Sequence, residues 1–575
     1  MKILSPLQSP TKLNFFHSDD RMLLIFIGSI IGMCSGIAAV ALNHFLHIAF
    51  EFFYPIRHHW WAFIFPALGA LISALFLEKI VKEGAGHGVP EVIYSVSRRG
   101  GILRFRSSFS RLVSSFLTIG SGGSAGPEAP VVISGAAIGS NIANFFSMND
   151  RQRITLLACG SAGAISSIFN APIAGMVFTI EVILGGWRSA NIAPIAIAAV
   201  AGTEVSRFLQ GDQIAFPHQL FDVRFPDVMA CIGLSLFTVL ASVLFTKFLR
   251  TTGNLSKKIK TPLIVRAAIG GCAVGIIGYF FPVVLGEGYH SIREMITSTF
   301  TCGLPILLLV LMAKMFATSL TLGFGGSGGI FAPCLVLGSL TGLIFYKIIS
   351  ILLPSVTWVN EGYFALIGMA GLISGVMQAP LTGIFLIVEI TGGYEVILPL
   401  ILISTISSTL CNYLEPASFY LKDLKEKNLL LHPGTDAGIL SVLTVHEVIE
   451  KDCTTVKQSM MLRDFIKIIS QSRRNYFPVE NEKNGKFTGI IYLDDIRPFI
   501  FNPSMYDAVV LEQITTTGIK TASPDNNLIN ILKIMDKERL FSMPVVTNGI
   551  FIGMISKATI LDQYRKELMV QTTQI

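Results

Sequence analysis

Charge is what this sequence has least of. Only 14% of its 575 residues are Asp, Glu, Lys or Arg, and 51% are hydrophobic. A soluble domain ordinarily carries about a quarter charged residues. Together with a mean hydropathy of +0.62, this excludes a water-soluble enzyme and leaves a membrane protein. The eight cysteines (Cys34, Cys159, Cys231, Cys272, Cys302, Cys334, Cys411 and Cys453) form no C-x-x-C pair. They read as small buried hydrophobes, with neither a metal site nor a disulfide framework expected. No H-E-x-x-H occurs: His446–Glu447 is followed by Glu450 where a second histidine would stand. An intramembrane metalloprotease is thereby excluded, and no enzymatic activity is expected. A net charge of +7 is too modest to imply a nucleic-acid partner. The first twenty residues lack the apolar core and cleavage site of a secretory signal, so the first apolar run is expected to direct insertion.

What the chain does have is apolar runs long enough, or nearly so, to cross a bilayer. They cover Leu23–Ala41, Trp60–Phe76, Ile232–Phe248, Ile306–Ala317 and Val396–Leu410. Others are short or broken, as at Val131–Ile142 and Ile330–Leu343. Basic residues gather at Lys2, Lys12 and Arg21, and again at Arg98, Arg99, Arg104, Arg106 and Arg111. Positive charge marks the cytoplasmic side, so both termini are expected there, on a protein of the cell membrane.

Hydropathy falls after Lys422. Asp423–Leu443 reads as a linker, and the remainder as a soluble α/β unit that repeats itself. Each copy runs helix, strand, Gly turn, strand, helix. The first has a helix over Met461–Ser470 and strands Phe477–Val479 and Thr488–Tyr492; the second has Asn527–Lys537, Met543–Val546 and Phe551–Ser556. This pattern resembles a CBS-domain pair, 444–505 and 506–575.

The membrane part repeats as well. Gly122–Pro130 reads G-G-S-A-G-P-E-A-P and Gly325–Pro333 reads G-G-S-G-G-I-F-A-P, an offset of 325 − 122 = 203. Ala171–Glu181 is echoed by Ala379–Glu389, an offset of 379 − 171 = 208. Corresponding Gly/Pro-broken segments in two halves mark a transporter-type repeat with its binding site where the broken helices meet. The apolar segments alone leave parallel and inverted repeats both open. Close packing through small residues is the simpler explanation of the glycines, but it does not require two nine-residue blocks to match.

An anion at bilayer depth needs donors in place of water, and helix N-termini supply unpaired N–H groups with about half a positive charge. Three loops lead from a Gly-rich turn into an apolar helix: Gly84–Pro90, Gly122–Pro130 and Gly325–Pro333, none with a Lys or Arg. Across the two repeated blocks, Glu128 is the one acidic side chain. An ionisable residue at this depth is a functional candidate. Charged, it would occupy the anion site itself; protonated, it would vacate it. Capping of the orphan N–H groups at a helix start is its structural alternative, and the two roles are compatible.

These motifs resemble the CLC chloride channel and transporter family over nearly the whole chain. Gly86–Val92 (G-H-G-V-P-E-V) is similar to the family's first anion-binding loop, G-P-E-A-P at Gly126–Pro130 to its gating-glutamate loop, and G-I-F-A-P at Gly329–Pro333 to its third. The resemblance implies a polytopic α-helical membrane domain over 21–422, with two inverted repeats of tilted, broken helices (about 21–210 and 225–422). It also implies a homodimer with one chloride pathway per subunit. Glu128 would be the gate and proton site; Gly88, Ala129, Ile330, Phe331 and Tyr420 would surround the anion. His87 stands where the family has a serine, so either its imidazole or the loop backbone would make that contact. Pro127 replaces a basic residue beside the gate. Val182 takes the position of the exchangers' inner proton glutamate, a substitution that resembles passive channels, although members lacking that carboxylate also resemble exchangers. Glu181 is expected to be structural, because Glu389 repeats it. Chloride/proton exchange is the leading expectation, passive chloride conduction the alternative, and fluoride or nitrate transport a remote third. For the CBS pair, Asp495 fits the ribose-binding position of the first half, whereas Thr559 takes that place in the second. A packing or gate-coupling role is therefore expected ahead of an adenine-nucleotide cofactor.

Overall fold

The computed structural model describes residues 20–56, 59–83, 88–187, 189–211, 216, 219, 221–426, 440, 443–472, 474–524, 526 and 528–572. They form two compact units, Met1–Leu430 and Leu431–Ile575. The N-terminal segment up to residue 19, most of the linker and His87 lie outside the described residues.

A backbone inside a bilayer must satisfy its own hydrogen bonds, and the long apolar runs do so as helices. Eight helices among the described residues are long and apolar enough to cross a membrane, and the chain is a multi-pass membrane protein. The first half comprises α1 (Asp20–Phe53), α2 (Ile64–Leu75), α3 (Val89–Arg98), α4 (Ser107–Gly120), α5 (Glu128–Phe145), α6 (Asp150–Phe169), α7 (Pro172–Phe178) and α8 (Ser189–Gln210). The second comprises α9 (Phe225–Lys258), α10 (Leu263–Phe280), α11 (Tyr289–Ile296), α12 (Leu304–Gly323), α13 (Phe331–Leu352), α14 (Glu361–Met377), α15 (Pro380–Thr391) and α16 (Ile397–Leu414), before α17 (Phe419–Glu426). The halves match helix for helix, α1–α8 against α9–α16.

Local signals repeat with them. Asn149 caps α6 by accepting from the Gln152 amide at 2.9 Å, and Asn360 caps α14 by accepting from Tyr363 at 3.0 Å. Proline opens α7 and α15 at the first helical position, where its missing N–H costs nothing. Close packing also repeats. A Cβ on Gly135 of α5 would lie 2.2 Å from the Gly160 carbonyl oxygen of α6, and one on Gly338 of α13 would lie 2.6 Å from that of Gly368 on α14. Bare backbone at these crossings lets the helices touch. Every residue from Gly362 to Met377 is buried, so α14 is apolar all round because it meets protein on every side.

In the second unit, β1 (Val456–Lys457), β2 (Tyr476–Glu480), β3 (Phe487–Tyr492) and β4 (Thr516–Thr517) form one sheet in that order; β5 (Ser542–Thr547) and β6 (Ile550–Ser556) form an antiparallel hairpin. The short helices are α18 (Val445–Val448), α19 (Leu462–Gln471), α20 (Leu493–Ile500), α21 (Leu511–Ile514), α22 (Leu528–Lys537) and α23 (Lys557–Thr572). The two halves exchange their ends. β4 pairs with β3 of the first half, while Glu450 bridges Met554 on β6. Val445 and Val448 accordingly pack with Leu528 and Ile531, and Val509 and Leu511 with Phe465 and Phe477. A linear cut at 505/506 separates the halves in sequence but not in space.

Candidate functional site

The two repeated Gly loops meet each other. Gly126 and Gly329 form an antiparallel bridge through reciprocal hydrogen bonds: the Gly126 amide donates to the Gly329 carbonyl at 2.8 Å, and the Gly329 amide returns the bond at 2.7 Å. Hydroxyls of the preceding helices complete the symmetry. The Ser124 amide donates to Thr321 Oγ1 and the Ser327 amide to Thr118 Oγ1, both at 3.1 Å. Gly122 and Gly325 adopt φ of 109° and 107°, which a side chain would resist. The result is irregular backbone buried in protein, as membrane depth demands.

From this bridge α5 and α13 depart, and Glu128 lies at the junction, 1% exposed. Its Oε2 accepts from the Ala332 amide at 3.4 Å, in the first turn of α13. The carboxylate therefore sits at the positive end of the opposite repeat's helix. Its Oε1 accepts from the Tyr289 hydroxyl. Both donors are neutral.

The other expected residues group around it. Gly88, at φ 78°, is the N-cap before α3, and a Cβ there would lie 2.9 Å from the Ala129 carbonyl oxygen. Ala129 packs on Gly329, whose Cβ would fall 2.8 Å from its own. Ile330 and Phe331 are buried at the start of α13, where the first amides have no partner within their own helix. The Phe331 ring lies 5.4 Å from Phe169 and 5.9 Å from Phe178, between centroids. Tyr420, 2% exposed near the start of α17, belongs to the same buried cluster.

Glu181 and Glu389 act as reciprocal caps. Glu181 accepts from the Leu381 and Thr382 amides at 3.1 and 2.8 Å and from Thr382 Oγ1 at 2.7 Å. Glu389 accepts from the Ile173 and Ala174 amides at 3.0 and 2.7 Å. Each repeat's glutamate thus satisfies the orphan amides of the other's proline-led helix. Val182 follows in the π-helical turn Thr179–Leu184, half-buried against the core.

Three groups of interest were not anticipated. Tyr289 is carried by G-E-G-Y at Gly286–Tyr289, which mirrors G-H-G-V at Gly86–Val89 with an offset of 200. Lys314, fully buried on α12, donates to the Val284 and Gly286 carbonyls at 3.0 and 3.1 Å. Its repeat mate is Arg111 (314 − 111 = 203), also buried, which donates to Glu91 at 2.7 Å. In the second unit Glu450 accepts from Ser556 Oγ at 2.6 Å, from Tyr476 at 3.0 Å, and from Thr559 and Arg474. Burial pushes its carboxyl up, but the three hydroxyls and the guanidinium hold it below the ordinary range.

Thr559, at the ribose position of the second CBS half, and Ser556 beside it are thus both engaged with Glu450. In the first half Asp495 is exposed in the opening turn of α20.

Broken helices converging on a buried carboxylate define an anion-transport architecture, and comparison with known proteins gives the family. Residues 69–412 match the model for the voltage gated chloride channel family, and 445–502 and 511–566 match the CBS domain. The H(+)/Cl(-) exchange transporter ClcA of Vibrio cholerae serotype O1 is 30% identical over 421 residues, covering 68% of this chain and 87% of its own. Chloride channel protein CLC-f of Arabidopsis thaliana is 26% identical over 617 residues, covering 92% and 77%. The solved structure of a slow cyanobacterial Cl-/H+ antiporter shares the fold with a TM-score of 0.64 at 22% identity, covering 72% of this chain and 99% of that one. The chain belongs to the CLC family of chloride channels and transporters, with a C-terminal CBS pair. Its broad function is chloride transport.

Proposed function

We propose that this protein exchanges chloride for protons, with Glu128 as both gate and proton carrier. It would act as a homodimer with one pathway per subunit and both termini in the cytoplasm. The observation that carries the proposal is the Glu128 carboxylate on the Ala332 amide at the start of α13. A chloride ion and a charged carboxylate compete for the same helix-terminal donors. Protonation removes the carboxylate's charge, releases it from those donors and admits the anion, which links anion entry to proton uptake. Relatives named as H(+)/Cl(-) exchangers support this reading.

Passive chloride conduction is the second reading, and Val182 favours it. A hydrocarbon side chain has no proton to pass on, so exchange requires water or another group to serve the inner step. Backbone amides do not by themselves distinguish chloride from fluoride or nitrate. The deciding experiment is chloride efflux from proteoliposomes with simultaneous recording of internal pH. Exchange predicts that a chloride gradient drives protons uphill; chloride flux without proton movement would put passive conduction in its place.

A further inference from the structure

Tyr289 is the first residue of α11, and the loop before it is fixed from three sides. A Cβ on Gly288 would lie 2.7 Å from Val336 Cγ2 on α13, and one on Gly286 would lie 2.2 Å from the Phe50 ring on α1. Lys314 on α12 holds the Val284 and Gly286 carbonyls. The Tyr289 ring stands edge-on to Phe216 and Phe169, with centroids 5.9 and 6.4 Å apart. Aromatic packing thus aims the hydroxyl, and its acceptor is Glu128 Oε1.

We propose that the Tyr289 hydroxyl is a latch that holds the charged Glu128 side chain in the anion site and thereby sets the pH at which the gate opens. The proposal rests on the reading of Glu128 as the gate. A hydrogen bond to a charged acceptor is roughly twice as strong as one to a neutral acceptor. The latch is therefore strong while Glu128 is ionised and weak once it is protonated, when the side chain swings free and the tyrosine stays among its phenylalanines. The ionisable groups around the pair are Glu287 in the same loop, Arg293 further along α11, Lys314 on α12, Cys334 on α13 and Tyr420 on α17. Glu287 opposes the charge on Glu128, while Lys314 and Arg293 act on Glu287. Among the described residues, Tyr289 is the side chain that donates to it. Val89, the repeat mate of Tyr289 in the other half, has no hydroxyl to offer, which confines the latch to one side of the site.

The sign follows from the bond. The hydroxyl stabilises the ionised carboxylate, so Tyr289→Phe makes protonation easier and moves the midpoint of pH-dependent chloride flux to higher pH. Loss of a hydrogen bond to a charged group corresponds to a displacement of about one to two pH units. The test is chloride efflux against pH in proteoliposomes for wild type, Y289F, E128Q and the double variant. Expected is an alkaline displacement in Y289F and no further effect of Y289F in the E128Q background. If Y289F keeps the wild-type midpoint, or loses flux at every pH, while E128Q abolishes the pH dependence, the latch is overturned and the gate stands. A displacement by Y289F that persists in the E128Q background overturns the latch, because the hydroxyl then acts through another group. Retained pH dependence in E128Q itself overturns the gate, and the latch with it.

Discussion

The reciprocal caps give the most quantitative handle on how the two halves are joined. Glu181 accepts three hydrogen bonds from the start of α15, at 2.7 to 3.1 Å. In Glu181→Gln one oxygen remains as an acceptor, the other becomes an NH2 that faces N–H donors, and the charge on the helix terminus is gone. A hydrogen bond to a charged group contributes about 1.5–3 kcal/mol, and a charge at a partly buried helix end up to about 2 kcal/mol. Because the carboxamide keeps part of the set, the net loss expected is about 2–4 kcal/mol. The assay is thermal unfolding of the purified protein in detergent, paired with chloride flux against pH after reconstitution. Lower thermal stability with an unchanged flux midpoint is the expected result. Glu389→Gln, where the carboxylate accepts two such bonds and the carboxamide can keep one, should behave alike. Wild-type stability combined with lost proton coupling in Glu181→Gln would refute the capping argument and make Glu181 a proton carrier.

Gly135→Val inserts atoms where a Cβ already lies 2.2 Å from the Gly160 carbonyl oxygen, so α5 and α6 must separate; a destabilisation of at least ~1–3 kcal/mol should appear as reduced folded yield and thermal stability. In the CBS unit, the Glu450 carboxyl sits below its ordinary range, so its contribution is present above the unfolded-state value near ~4.3 and is lost as pH falls through the folded value. Glu450→Gln should therefore lower the unfolding temperature at pH 7 by an amount equivalent to ~1.5–3 kcal/mol and flatten the acid limb; an unchanged acid limb would remove Glu450 from the account. ATP or AMP added to the full-length protein should leave its unfolding temperature unmoved, because Ser556 and Thr559 are engaged with Glu450; a saturable rise would show the nucleotide displacing it.

Much of this site was legible from the residues, for reasons that also explain what was missed. The paired loops stood out because their glycines and prolines meet a backbone requirement that few residue types can satisfy, and that requirement applies twice, 203 positions apart. Glu128 stood out as the lone acid among them. Tyr289 did not, because its loop repeats Gly86–Val89 at an offset of 200 and shares only the two glycines. The signal was nevertheless present in G-E-G-Y. Lys314 was concealed inside an apolar run, where an ionisable residue should have raised the question of its partner. The exchange of ends between the CBS halves left no trace in periodicity, since alternation reports which face of a strand is buried and not which strand it pairs with. Glu450 was missed for the same reason.

The central claim is that one buried carboxylate both blocks the anion site and reads the proton concentration. Chloride efflux from proteoliposomes containing Glu128→Gln, measured across pH, tests it most directly. The amide cannot ionise, so flux as fast as or faster than wild type, and flat with pH, is predicted. Flux that still falls as pH rises would contradict the account.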